Sequence, residues 1–317
     1  MSERAMLSRL AESLFWLGRY IERADDTARM VDTYVHRMVE DPRNDERATC
    51  QSLLAILGVE VPPSAARLEP TLQSVVFDQE NPNSIAGSLN AAYDNARRSR
   101  DVISSEVWVA LNATRLELPA REGEARAKGP ATYLAYVRER CALLAGVADA
   151  TMSHDEGWHY LVLGRTLERI DMVARLLRGR VVNERVAPDW VAFLRAAGAM
   201  EAFMRSGFDV HDSTGVAGFL LLDRSFPRSA LFGLLRADEC LVEITPGGQR
   251  ATAGDSARHA LHRARTTLEY LTPEDVGDQL GELLTMLEIT CTRVTDAVTD
   301  RYFRHDDPVA WNWEGAL

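Results

Sequence analysis

The sequence predicts an all-α protein, a helical bundle built from two internally duplicated halves. Apolar residues recur at helical spacing along almost the whole chain, and no run of strict alternation marks a strand. A nineteen-residue segment occurs twice, and a second pair of matching segments follows in the same order.

The first helix is expected from Met6 to about Met38. At about 100° per residue, Leu10, Leu14, Leu17, Ile21, Ala24, Ala28 and Val31 fall in one arc, and Glu12, Arg19, Glu22, Arg23 and Asp26 lie on the opposite side. Further helices are expected at about 47–58, 84–112, 131–152, 155–182, 189–206, 227–243, 252–271 and 273–304. Thr272-Pro273-Glu274-Asp275 supplies a cap, a first-turn proline and acidic groups for the positive end of the helix dipole. Pro62-Pro63, Asn81-Pro82-Asn83, the stretch from Pro119 to Pro130, Pro188 and Pro246-Gly247-Gly248 are expected breaks.

Leu14–Asp32 and Tyr160–Arg178 share eight of nineteen residues at an offset of 146, including Gly18/Gly164, Arg19/Arg165, Glu22/Glu168, Arg23/Arg169, Asp25/Asp171 and Arg29/Arg175. Asp78, Pro82 and Ser84 match Asp223, Pro227 and Ser229 at an offset of 145. A looser match sets Ala92, Ala96 and Arg97 against Ala260, Ala264 and Arg265. Pseudo-repeats of about 1–130 and 131–317 follow, joined in the polar stretch from about Ala113 to Pro130 or just after it, and packed as a single body spanning 1–317.

Composition excludes several function classes. A net charge of −11 speaks against a nucleic-acid partner, which calls for a basic face. No window approaches about 18 uninterrupted apolar residues, so no membrane span is expected. The start of the chain lacks the order of a signal peptide, and a cytoplasmic location is expected. Lys128 is the single lysine, and no phosphate-loop motif occurs. Cys50, Cys141, Cys240 and Cys291 are widely spaced and read as small core residues. His154 and His159 stand five apart and diverge on a helix, so no metal site is expected from them. His259 and His262 read as a surface pair.

The repeated Gly-Arg-x-x-Glu-Arg run carries the candidate chemistry. Arg19, Glu22 and Arg23 share one side of their helix, as do Arg165, Glu168 and Arg169. Two arginines sharing one glutamate leave positive charge that a carboxylate or phosphate would satisfy, and the planar guanidinium suits two-point recognition of such groups. Asn95, Arg97 and Arg228 join as candidates, Arg228 because a cation near a helix N-terminus calls for a fixed partner. The same pattern fits ion pairs that hold the halves together, or a solvated face. Three functional readings stand side by side: anion handling, an autonomous enzyme with Glu22 or Glu168 as general base, and a structural scaffold.

Met6 through Asp25, with Gly18-Arg19-Tyr20-Ile21-Glu22-Arg23 at its centre, resembles the opening of the bacterial alpha-E domain family, named for its helices and its Glu-Arg motif. Gly164 through Arg169, Phe226-Pro227-Arg228-Ser229 and Asn95 through Arg100 look like further family positions, with Asp94 where glutamate is expected. Members are commonly encoded beside, or fused to, a circularly permuted ATP-grasp ligase and often lie near a transglutaminase-like protein. The resemblance implies an accessory or substrate-handling role in an ATP-dependent amide-forming or peptide-modifying system. ATP and Mg would belong to the partner ligase, and no cofactor is expected on this chain. The sequence does not fix whether the chain is catalytic or forms a homo-oligomer.

Overall fold

The computed structural model describes residues 6–40, 45–59, 66–182, 190–245 and 256–303. Among them it contains thirteen α-helices and no strand. In order these are α1 (Ser8–Glu40), α2 (Glu46–Ile56), α3 (Leu68–Leu72), α4 (Ile85–Arg98), α5 (Ser105–Lys128), α6 (Ala131–Thr151) and α7 (Glu156–Val182). There follow α8 (Trp190–Ala196), α9 (Met200–Ser206), α10 (Ser213–Leu222), α11 (Ala230–Ile244), α12 (Ser256–Glu269) and α13 (Pro273–Val298). Single π-helical turns extend α3 and α13.

The longest helices, α1 and α7, form the axis of the bundle and run parallel. The amide of Met6 donates to Glu156 at one end, and Glu22 meets Arg169 further along. Helix α4 packs on α1 as α11 packs on α7; α6 lies on α1 as α13 lies on α7. Helix α5 leans on α4 and α6, and α12 on α11 and α13. Leu14, Leu17, Ile21, Ala24, Ala28 and Val31 are buried as the periodicity predicts, while Leu10 is only partly covered. Each large aliphatic side chain in this stripe contributes about 1.5–3 kcal/mol by leaving water. The expected polar face is not a solvated one: Arg19, Glu22 and Asp26 are buried too, because α7 and the loop leading into α11 cover that side of α1.

Local sequence accounts for most boundaries. Ser84, Ser104, Ser229 and Thr272 cap α4, α5, α11 and α13, and Thr272 forms the reciprocal capping box with Asp275. Four expectations need correction. The span 84–112 is two helices, because Ser99 turns its hydroxyl and amide onto the Asn95 carbonyl and Ser104 starts a new helix. Helix α5 runs through Pro119 to Lys128; Pro119 and Arg115 are exposed, so water can take the carbonyl that proline leaves without a donor. The span 189–206 breaks at Gly198, whose φ of +62° ends α8. Helix α10 is almost wholly apolar and buried against α13, so it shows no face for periodicity to detect. The breaks expected at Pro62-Pro63, Pro188 and Pro246-Gly247-Gly248, residues 252–255 of the expected 252–271 helix, and the chain's first five residues lie outside the described residues.

All four cysteines are free and buried, and burial pushes their thiols up from the ordinary range. His154 stacks on Trp158 at 3.8 Å, and His159 meets the edge of the same indole. His262 lies 3.0 Å from the Asp238 carboxylate. No described helix is long and apolar enough to cross a membrane.

Candidate functional site

Two glycines bring the axial helices into backbone contact. A Cβ on Gly18 would fall 2.0 Å from the Leu161 carbonyl oxygen, and one on Gly164 would fall 2.0 Å from that of Phe15. One turn further on, the charged residues of each helix face the other helix rather than their own neighbours. Arg23 grips Glu168 with two parallel bonds, Nε to Oε1 at 2.6 Å and Nη2 to Oε2 at 3.0 Å. Arg169 grips Glu22 in the same way, with both bonds at 2.7 Å. The expectation that two arginines share the glutamate of their own helix is therefore corrected: the pairing is exchanged across the α1–α7 contact.

Most of the remaining guanidinium capacity also meets partners inside the chain, the exception being the Arg19 Nε, which is buried without an acceptor. Arg19 donates to Glu168 at 2.9 Å and to the Thr295 hydroxyl at 3.0 Å. The third edge of Arg23 donates to Asn83, and that of Arg169 to the Pro227 carbonyl. Among the described residues Arg165 reaches Asp149, at 3.5 Å. Arg228 finds the fixed partners its position calls for: it bonds Asp25 and Asp26 and approaches Glu22 at 3.1 Å. Asn95 and Arg97 are not brought to this cluster. The Asn95 amide donates back to the Ala91 carbonyl of its own helix, and Arg97 is exposed beside Asp94.

The electrostatics follow from burial and count of neighbours. Burial alone would raise Glu22, but Arg169 and Arg228 hold it down at about 2. Glu168 is likewise lowered against its burial by Arg19 and Arg23. Asp26 goes the other way. Burial, together with crowding by Glu22 and Asp25, pushes it up to about 7 despite Arg228. Glu22, Asp25 and Asp26 stand close enough to share a cation, with ligand atoms within 4.8 Å of one another. The Arg228 guanidinium contacts all three and supplies that positive charge.

Asp26 therefore gives a pH prediction. Its carboxyl is raised above its ordinary 3.8, so the stability it contributes is present below that value and lost as pH rises towards about 7. Asp26→Asn should accordingly gain thermal stability relative to the native chain between about pH 5 and about pH 8. A constant difference between the two melting temperatures across that range would contradict it.

The two sides of the axis differ in one coordinated way. Asp26 and Arg228 face each other on one side; the residues 146 and 145 positions away, Met172 and Asn83, carry no charge. The loops that deliver Asn83 and Arg228 share their hydrogen bonds. Ser84 and Ser229 each bond the carbonyl of the preceding Asp78 or Asp223, and those aspartates accept backbone amides two and three residues on. This pairs α4 with α11, so the looser match of Ala92 and Ala96 with α12 is not supported. Arg228→Asn alone strands three carboxylates, and removing one partner of a buried pair costs about 3–5 kcal/mol. Combined with Asp26→Met, the loss should shrink by at least about 1 kcal/mol in a double-mutant cycle read by chemical denaturation. Simple additivity would refute the coupling.

Several residues of the cluster were not among the sequence candidates. Asp25 had a signal, its identity with Asp171 at the repeat offset. Asn83 had one too, its place at the repeat offset from Arg228, while Thr295 and Asp149 had none, since each enters through long-range packing.

The fold and site together define a class: an all-α protein whose two long parallel helices are pinned by exchanged Glu–Arg pairs. Residues 6–303 match the family model Alpha-E, described as a predicted alpha-helical domain with a conserved ER motif, and the chain belongs to that family. It is similar to an uncharacterized protein of Mycobacterium bovis and to uncharacterized proteins of two Mycobacterium tuberculosis strains, each 27% identical over 329 aligned residues. The match covers 92% of this chain and 36% of each relative, so the chain spans about a third of the length of the curated relatives it matches. No solved structure matches it.

Proposed function

We propose that this chain is an accessory helical component of an ATP-grasp amide-ligase system, and that its Glu–Arg motif is a lock between two duplicated halves rather than a substrate clamp. The observation that carries the reading is the exchange of bonds between Arg23 and Glu168 and between Arg169 and Glu22. Each motif glutamate has both oxygens engaged by guanidinium groups of the other helix. A general base needs a carboxyl raised towards the working pH, whereas Glu22 is held at about 2 and Glu168 is lowered. The autonomous-enzyme reading with either glutamate as base therefore has little support.

The reciprocal approach of Gly18 and Gly164, and the matched Asp–Ser loops, support the duplication. The link to a circularly permuted ATP-grasp ligase comes from the family resemblance, and the greater length of the relatives leaves room for further domains. In this reading ATP and Mg are held by the ligase, and a transglutaminase-like protein is a second candidate partner.

The test is co-purification of this chain with a circularly permuted ATP-grasp ligase from the same organism, followed by an amide-forming assay with and without the chain. Retention of the ligase, and a fall in its rate when the chain is omitted, are expected. Absence of association together with an unchanged rate would overturn the proposal.

A further inference from the structure

A cavity of about 260 Å³ opens beside the C-terminal half of α1, where α6, α8 and the start of α9 meet it. Four guanidinium groups line it: Arg29 and Arg37 from α1, Arg138 from α6 and Arg195 from α8. We propose that this cavity is a binding site for a small oxyanion, a phosphate or carboxylate group carried by a small molecule. The proposal goes beyond the scaffold reading and does not depend on it.

Two of the four guanidiniums are fixed in advance. Arg29 donates through Nε to Asp25 at 2.9 Å, and its head lies against Gly198, where a Cβ would stand 3.0 Å from Nη1. Gly198 has a φ of +62°, so both its backbone and its lack of a side chain suit that seat. Arg138 donates through Nη1 to Asp32 at 2.9 Å, while its Nε is buried without an acceptor. A buried donor of this kind costs free energy until a ligand oxygen or water meets it. His36 adds an imidazole to the wall. The carboxylates here are Asp32, already engaged by Arg138, and the exposed Glu40 and Glu201. Four guanidiniums line the cavity against three lining carboxylates, with Asp25 holding Arg29 from behind, and the planar forks suit two-point contact with oxyanions.

The fold does not require this opening. On the other side of the axis, Arg175 sits beside Gly58 much as Arg29 sits beside Gly198, and Gly58 also has a positive φ, +68°. There α2 and α13 pack against α7. Ile56 of α2 packs onto Gly179, where a Cβ would fall 2.4 Å from the isoleucine side chain. Arg178 is held by two bonds to Glu288, at 2.6 and 2.8 Å. Beside α1, helix α8 instead presents Ala192 to the cavity and Arg195 to its mouth. One side has a filled contact between helices, and the other has a cavity walled by cations.

Isothermal titration calorimetry of the whole chain, with inorganic phosphate and separately with succinate, tests the proposal. Saturable one-to-one binding of at least one probe is expected, weakening as salt is added; the stronger probe tells phosphate from carboxylate. Arg195→Gln, without moving the melting temperature, and Arg37→Gln should each lower affinity at least about tenfold, equivalent to about 1.4 kcal/mol. Arg97→Gln, on the exposed face of α4, should bind as the native chain does. No saturable binding of either probe up to about 10 mM, or equal affinity in all three variants, would overturn the site.

Discussion

Replacing Gly164 with alanine is expected to cost at least about 3 kcal/mol, one of the largest effects of any conservative change in this chain. The added Cβ would lie 2.0 Å from the Phe15 carbonyl oxygen, 2.9 Å from its carbon and 3.3 Å from the Arg19 nitrogen. All three are backbone atoms of α1, so no rotamer change relieves the clash. The helices must separate by more than an ångström, and that separation stretches the Arg23–Glu168 and Arg169–Glu22 bonds one turn away. A loss of this size corresponds to a fall in melting temperature of roughly 4–5 °C in a chain of 317 residues. Gly146 is the control. It lies inside α6 with nothing within 4 Å of the point where an alanine methyl would sit, so Gly146→Ala should be neutral or stabilise by up to about 1 kcal/mol. Similar melting temperatures for the two variants would show that the close crossing does not hold the bundle together.

The same glycines mark how far the sequence could be read. The repeated Gly-Arg-x-x-Glu-Arg run placed the right residues on the right helices, and the buried apolar arc of α1 followed from periodicity. The role of the glycine did not follow, because it depends on which helix lies opposite. The pairing of the charges failed to show for the same reason. Helical spacing makes Arg19 and Glu22 natural neighbours, yet the crossing of α1 with α7 offers each glutamate a two-pronged arginine from 145 to 147 residues away. Arg228 was legible as a cation in need of a partner, but Asp25 and Asp26 were not identifiable as that partner. Asn95 and Arg97 misled because their motif resemblance says nothing of direction; their helix turns Arg97 to solvent. Helix α10 escaped because burial on every side leaves no period to find. The arginine-lined cavity required α6 and α8 to be set against α1, and no local pattern joins Arg29, Arg138 and Arg195.

Glu168→Gln is expected to lower stability by about 3–5 kcal/mol, and the reason is the charge left behind rather than the bond removed. Glu168 is 1% exposed and accepts from both Arg19 and Arg23. Glutamine keeps the shape but leaves two guanidiniums facing a neutral amide in a largely buried contact between helices. Arg23→Lys should cost less, because the positive charge and the Arg19–Glu168 bond both remain while the two-pronged grip is lost. The acid limb supplies an independent check. Glu168 is lowered from its ordinary 4.5, so its contribution is present above that value and disappears as pH falls below it. The native chain should therefore lose stability in acid more steeply than Glu168→Gln, and the two denaturation midpoints should converge. If instead the variant melts within about 1 kcal/mol of the native chain at neutral pH, as an exposed pair would allow, the Glu–Arg motif is not the lock between α1 and α7.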